Sequence, residues 1–115
     1  MLRLDDAAFG ASRESVLAAL QAEGIPCAGG YGYPLPDQPL FRNKAFGPYL
    51  AHVRDRLDYS RVSCPNSQRI CRAQGLWLDQ SLMLGTRDDM DDIASAFEKV
   101  HAGRHALAGH QAQTR

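Results

Sequence analysis

Ser12-Arg13-Glu14-Ser15-Val16-Leu17-Ala18-Ala19-Leu20-Gln21-Ala22-Glu23-Gly24-Ile25 is the stretch that sets the fold class. Ser12 follows a Gly-Ala turn and is a good N-cap. The spacing predicts a helix from Arg13 to Glu23 with Val16, Leu17 and Leu20 on one face and Ala19 beside them. Glu14 sits in the first turn, where the helix dipole favours an acid, and Gly24 is the expected residue just past the end. Before it, Met1 to Asp5 alternates apolar and polar as a short strand does, and after it Ile25-Pro26-Cys27-Ala28 reads as a second strand. Strand, helix, glycine and strand in that order make half of an α/β or α+β domain.

The C-terminal half supplies the rest. Pro65 near the first turn, after Ser63 or Cys64 at the cap, starts a helix with a modest apolar face of Ile70, Cys71 and Ala73, ended by Gly75. Leu76-Trp77-Leu78 and Leu82-Met83-Leu84, bounded by Gly75 and Gly85, read as buried strand. The polar triplet Asp79-Gln80-Ser81 in its middle suggests a bulge or a place where the strand reaches solvent. Thr86 and Asp89 form a variant capping box for a final helix, with acids in its first turns and Lys99 and His101 at its end. Met90, Ile93, Ala94, Phe97 and Val100 follow the helical spacing. The expected fold is a two-layer α/β (α+β) domain: a small, largely antiparallel sheet of about three strands with helices packed on it. The domain is expected over residues 1–103, with a long connection at 32–63 and a flexible tail at 104–115.

Between the halves lies Gly29-Gly30-Tyr31-Gly32-Tyr33-Pro34-Leu35-Pro36-Asp37-Gln38-Pro39. Three glycines and three prolines exclude a helix and spoil a strand, so two phenols ride on a stiff loop. The connection that follows is far longer than usual and is either functional or partly helical. Pro48 could open a short helix bearing Tyr49, Leu50, Val53 and Leu57. From Arg42 to Arg72 seven Lys/Arg face two acids, Asp55 and Asp58, which is either solvated surface or a surface for an anion.

Composition excludes more than it assigns. The chain has 115 residues and zero formal net charge, which suits one domain and recommends neither a nucleic-acid nor a membrane partner. No apolar run approaches the roughly 20 residues that span a bilayer, and Met1 to Asp6 lacks the apolar core of a signal peptide. A cytoplasmic setting follows, with Cys27, Cys64 and Cys71 as buried thiols rather than a disulfide or zinc set. The aspartates of the last helix are explained by capping, and the pair His101 and His105 lacks a third ligand. No nucleophile elbow, P-loop or dinucleotide fingerprint is present.

Two runs carry a resemblance: SRESVLAALQAEGIPCAGGYGYPLPDQPLF at 12–41 and CPNSQRICRAQGLWLDQSLMLGTRDDMDDIASAFEKV at 64–100. Their order resembles the small C-terminal domain of the DegT/DnrJ/StrS family, fold-type-I aminotransferases that use pyridoxal phosphate on keto-sugars, nucleotide-linked sugars or keto-cyclitols. Family members have a helix ending in Leu and Gly-Ile, a strand, and a loop with tyrosine, prolines and a Gln-Pro pair. A Cys-Pro-led helix, a strand and a Thr-capped final helix follow. The resemblance implies a homodimeric parent enzyme whose large domain holds the cofactor lysine and whose small domain closes over the keto substrate and the amino donor. It makes Tyr31, Tyr33, Gln38 and Gln80 the candidate substrate-binding residues, with no catalytic, cofactor or metal residue in this chain. This chain has Gly32-Tyr33-Pro34 where many members carry a histidine, and Asp79 where many carry proline.

On that resemblance the chain is a fragment, a separately made domain or a truncated product of an aminotransferase, and is expected to be inactive alone. The alternative is a free-standing, non-catalytic α/β module for binding or dimerisation.

Overall fold

A computed structural model describes residues 1–110. Its elements in chain order are β1 (Leu2–Arg3), α1 (Asp6–Phe9), α2 (Arg13–Ala22), β2 (Cys27–Ala28), α3 (Pro39–Arg42), α4 (Leu50–Val53), α5 (Pro65–Arg69), β3 (Gly75–Leu78), α6 (Arg87–Ala102) and α7 (Arg104–His110). The chain forms two compact units, one from Met1–Gly30 with the segment from Ala73 onward, the other from Tyr31–Arg72.

In the first unit α2 forms where its pattern requires. Ser12 Oγ accepts from the Ser15 amide at 3.2 Å, and Val16 and Leu20 are buried. The helix closes in a Schellman motif: Ile25 N donates to Leu20 O at 2.9 Å and Gly24 N to Gln21 O at 3.0 Å. Gly24 has φ +85°, a conformation in which a Cβ would be strained. That closure drops Ile25 into the core.

β3 is the centre of the sheet, flanked antiparallel by β1 and β2. Leu2 lies opposite Leu76, Ala28 opposite Trp77 and Cys27 opposite Leu78. The alternation along β3 buries Leu76 and turns Trp77 to the other face. The expected fold class, a small α+β domain with a three-stranded antiparallel sheet, is therefore what the chain adopts.

Leu82-Met83-Leu84 is not strand. Asp79 accepts from Ser81 N at 2.9 Å and Ser81 Oγ at 3.0 Å, which ends β3 and caps a 3-10 turn over Gln80–Leu84. Leu84 is 76% exposed, so the polar triplet terminates the strand instead of bulging it. The helix after Pro65 does run to Gly75, but changes winding on the way: α5 widens into a π turn over Ile70–Gln74, and Gly75 opens β3.

α6 begins with the expected capping box, Thr86 Oγ1 accepting from Asp89 N at 3.3 Å and Asp89 Oδ2 accepting from Thr86 N at 2.6 Å. Its buried residues are Ala96 and Val100, with Ile93 and Phe97 packed beside them, while Ala94 faces solvent. Asp88 and Asp89 sit in its first turn and Lys99 and His101 in its last. Ala96 and Val100 join Ala11, Val16, Leu20, Ile25 and Leu76 in one core free of polar residues among the described ones. Phe9 of α1 meets the His101 ring edge-on at 5.4 Å. Residues 104–110 form α7, with Leu107 against the core, where the sequence pattern suggests a tail. The remaining tail positions lie outside the described residues.

The second unit, read from the sequence as a long connection, has structure of its own. The segment with Pro48 near its start is a 3-10 turn at Gly47–Tyr49 continuing into the single turn of α4, not a helix reaching Leu57. Phe41, Phe46 and Tyr59 pack as a trio with centroids 5.2 to 6.1 Å apart.

No described helix is long and apolar enough to cross a membrane, and no three described His, Cys, Asp or Glu residues are grouped to hold a metal ion.

Candidate functional site

The loop begins in the first unit, where two contacts fix its departure. Arg13, with its side chain 12% exposed, donates from Nη1 to Gly29 O at 3.4 Å. Gly30, at φ +73°, lies so close to Trp77 that a Cβ would overlap the indole nitrogen. The steric requirement falls on Gly30, whereas a Cβ at Gly29 would meet only the end of the Arg13 side chain, at 3.2 Å.

In the second unit the loop folds into a groove of about 730 Å³. Pro34 is buried and extended, and opens a 3-10 turn over Leu35–Asp37. Gln38 Nε2 donates to Tyr33 O at 3.1 Å and closes the loop on itself. Tyr31 and Tyr33 then stand at the groove, 68% and 55% exposed. Prolines 34 and 36 stiffen the same wall. Cys64, Ser67 and Cys71, from the cap of α5, α5 itself and the π turn, make the facing wall. The Tyr33 hydroxyl makes no hydrogen bond among the described residues, so it is available to a ligand.

Three of the four candidate residues therefore share one concavity. Gln80 belongs to the first unit, where it opens the 3-10 turn after β3 and is exposed. The Gln38 amide nitrogen is committed to the loop backbone, which leaves its carbonyl oxygen for a ligand. Cys64, Ser67 and Cys71 line the same groove, and the loop reading overlooks them. Their spacing of three and then four positions, counted from Cys64, is a helical stripe, and that was the signal.

None of the three cysteines is fully buried. Cys27, outside the groove, donates from Sγ to Leu17 O at 3.7 Å, and desolvation holds its thiol above the usual range. Asp79 is held below the usual carboxylate range by hydrogen bonds from Ser81.

The described residues do not fit pyridoxal phosphate. Lys44 Nζ donates to Arg54 O at 3.1 Å, and Lys99 Nζ is paired with Glu23 at 2.7 Å. No described acid is buried where it could pair with a pyridine nitrogen. What the groove provides is an aromatic, conformationally stiff wall with hydroxyls and thiols at its mouth, suited to orienting a bound molecule.

A protein of Streptomyces kanamyceticus, provisionally named as an L-glutamine:3-amino-2,3-dideoxy-scyllo-inosose aminotransferase, is 31% identical over 85% of this chain. A protein of the same name from Streptoalloteichus tenebrarius is 32% identical, again over 85% of the chain. The chain is related to a segment of an aminotransferase. It spans about a quarter (24%) of the length of each of these curated relatives. The aminotransferase resemblance carried by 12–41 and 64–100 is borne out at that level. No family model and no solved structure matches the chain.

Proposed function

We propose that this chain is the small C-terminal domain of a DegT/DnrJ/StrS-type, pyridoxal-phosphate-dependent aminotransferase acting on a keto-cyclitol or keto-sugar. The single observation that carries the reading is the groove that Tyr31, Tyr33 and Gln38 line, on a chain whose relatives are named as aminotransferases of a keto-cyclitol. The cofactor would belong to a large domain supplied by other parts of a homodimeric, cytoplasmic parent enzyme, together with the lysine that binds it.

In that enzyme the domain positions the substrate and does not perform the carbon chemistry. The Tyr33 and Tyr31 hydroxyls and the Gln38 carbonyl oxygen would hydrogen-bond a polyhydroxylated ring, and the proline-stiffened wall would hold them in place with little ordering cost. Loop closure over the ring would exclude water.

The decisive experiment is kinetic. The reading frame extended upstream of Met1 should encode a domain with a cofactor-binding lysine, and the protein from that extended frame should transfer an amino group to a keto-cyclitol. Tyr33→Phe in that protein should lower kcat/KM by about 1–3 kcal/mol of transition-state stabilisation if the hydroxyl meets a buried substrate group. An upstream frame without such a domain, or stoichiometric visible absorbance on adding pyridoxal phosphate to this chain alone, would overturn the proposal in favour of a free-standing binding module.

A further inference from the structure

The second unit holds another concavity, and the substrate groove does not use it. Its volume is about 630 Å³. One wall serves both: Pro36 and Ser67 face the groove, while their neighbours Asp37 and Gln68 face the cavity and meet in a hydrogen bond, Gln68 Nε2 donating to Asp37 Oδ2 at 3.3 Å. Phe41 and Tyr59, rings 5.2 Å apart at 66°, also line it. Lys44, Asp58 and Ser60 complete the lining with Arg42.

The charges are arranged for a ligand of mixed character. Arg42 Nη2 pairs with Asp37 Oδ1 at 3.1 Å. Asp58 Oδ1 accepts from Ser60 N at 3.1 Å and Ser60 Oγ at 2.5 Å. Those bonds, with a smaller contribution from Lys44, hold its carboxyl below the usual range and so ionised at neutral pH. Asp58 Oδ2 makes no hydrogen bond among the described residues. Lys44 is at φ +50°, the one non-glycine with positive φ among the described residues. Lys44 borders the cavity, and its ammonium donates to Arg54 O at 3.1 Å with two N–H groups left over.

Simple ligands fit poorly. A free anion would meet the carboxylates of Asp37 and Asp58. An apolar ligand would desolvate Lys44 and Asp58 without compensation. An aminated, polyhydroxylated ring suits this mixture: its C–H face would lie against Tyr59 or Phe41, its ammonium and hydroxyls would donate to Asp58, and its oxygens would accept from Lys44 and Gln68. We propose that the cavity lined by Asp37, Lys44, Asp58, Tyr59 and Gln68 is a binding site for an amino sugar or aminocyclitol. It stands apart from the transaminase reading, because it concerns binding by residues 31–72 and requires no amino transfer.

The test is amide NMR on the full chain, titrated separately with glucosamine, N-acetylglucosamine and inorganic phosphate. Glucosamine should shift Lys44, Tyr59 and Ser60 saturably with a Kd on the order of millimolar, and N-acetylglucosamine should bind about tenfold more weakly because its nitrogen is uncharged. Asp58→Asn keeps an oxygen acceptor for the Ser60 turn and should weaken glucosamine about tenfold. Lys44→Gly suits the local backbone and should weaken it severalfold. Shifts produced by phosphate instead, shifts confined to Tyr31 and Tyr33, no saturable shift, or undiminished binding by both folded variants would each overturn the assignment.

Discussion

Gly30 packs against the Trp77 indole with no room for a Cβ between them. Gly30→Ala carries two costs at once: a left-handed backbone that disfavours an L side chain by about 1–2 kcal/mol, and an overlap worth about 1–3 kcal/mol. We expect the variant to unfold in urea about 2–4 kcal/mol less stable. Adding Trp77→Ala should return the steric part, so the double variant is more stable than the sum of the singles requires. Additive losses would show that the indole simply swings aside.

Leu20 has no exposed surface and lies where α2 meets the sheet and α6. Leu20→Ala should lower stability by about 2–5 kcal/mol through lost transfer energy and a cavity. Ala18, on the solvent face of the same helix, gives the contrast. Ala18→Ser should move the unfolding midpoint little, by about 0.5 kcal/mol or less.

The α6 cap makes stability pH-dependent. The hydrogen bonds from Thr86 hold the Asp89 carboxyl below its ordinary value of 3.8. A carboxylate depressed by folding stabilises the chain above its unfolded value, and that contribution disappears as pH falls through the folded value. Asp58 and Asp79 are depressed too and act in the same direction. The unfolding midpoint should therefore drop as pH is lowered below about 4, and Asp89→Asn should flatten the drop without abolishing it. Thr86→Ala should cost about 1 kcal/mol at neutral pH. Denaturation curves measured from pH 2 to 7 decide both points.

Lys99 reaches from α6 to Glu23 at the end of α2, at 2.7 Å, but 70% of its side chain is exposed. A solvated pair of this type contributes about 0.2–1 kcal/mol and is screened by salt. Lys99→Ala should therefore be a small perturbation, smaller still at high ionic strength. A loss as large as that of Leu20→Ala would contradict this view of the α2–α6 contact.

The elements legible in the sequence are those whose signals are local and redundant. α2 and α6 each have a cap, a dipole pattern and an apolar face that agree, and they form within a residue of where those signals put them. β1 and β2 shrink to two residues each, because strand length depends on what β3 offers as a partner. Leu82-Met83-Leu84 misleads for a related reason. Its hydrophobicity suggests burial, but the Asp79–Ser81 bonds had already turned the chain. At the site, the tyrosines were visible as a composition anomaly and Gln38 through the family resemblance. The facing wall of Cys64, Ser67 and Cys71 was hidden, because an isolated short helix shows its stripe only once its partner surface is known.

β2 and β3 are antiparallel neighbours, with Ala28 opposite Trp77. Topologically, residues 31–72 are then the loop of a β-hairpin, and its two ends are held together by the sheet whatever lies between them. Closing such a loop costs entropy only logarithmically, about 0.6 kcal/mol for each doubling of its length. Segments of quite different length could be exchanged at this position with little effect on the sheet, so the part of the chain that carries both concavities is also the part most free to be remodelled.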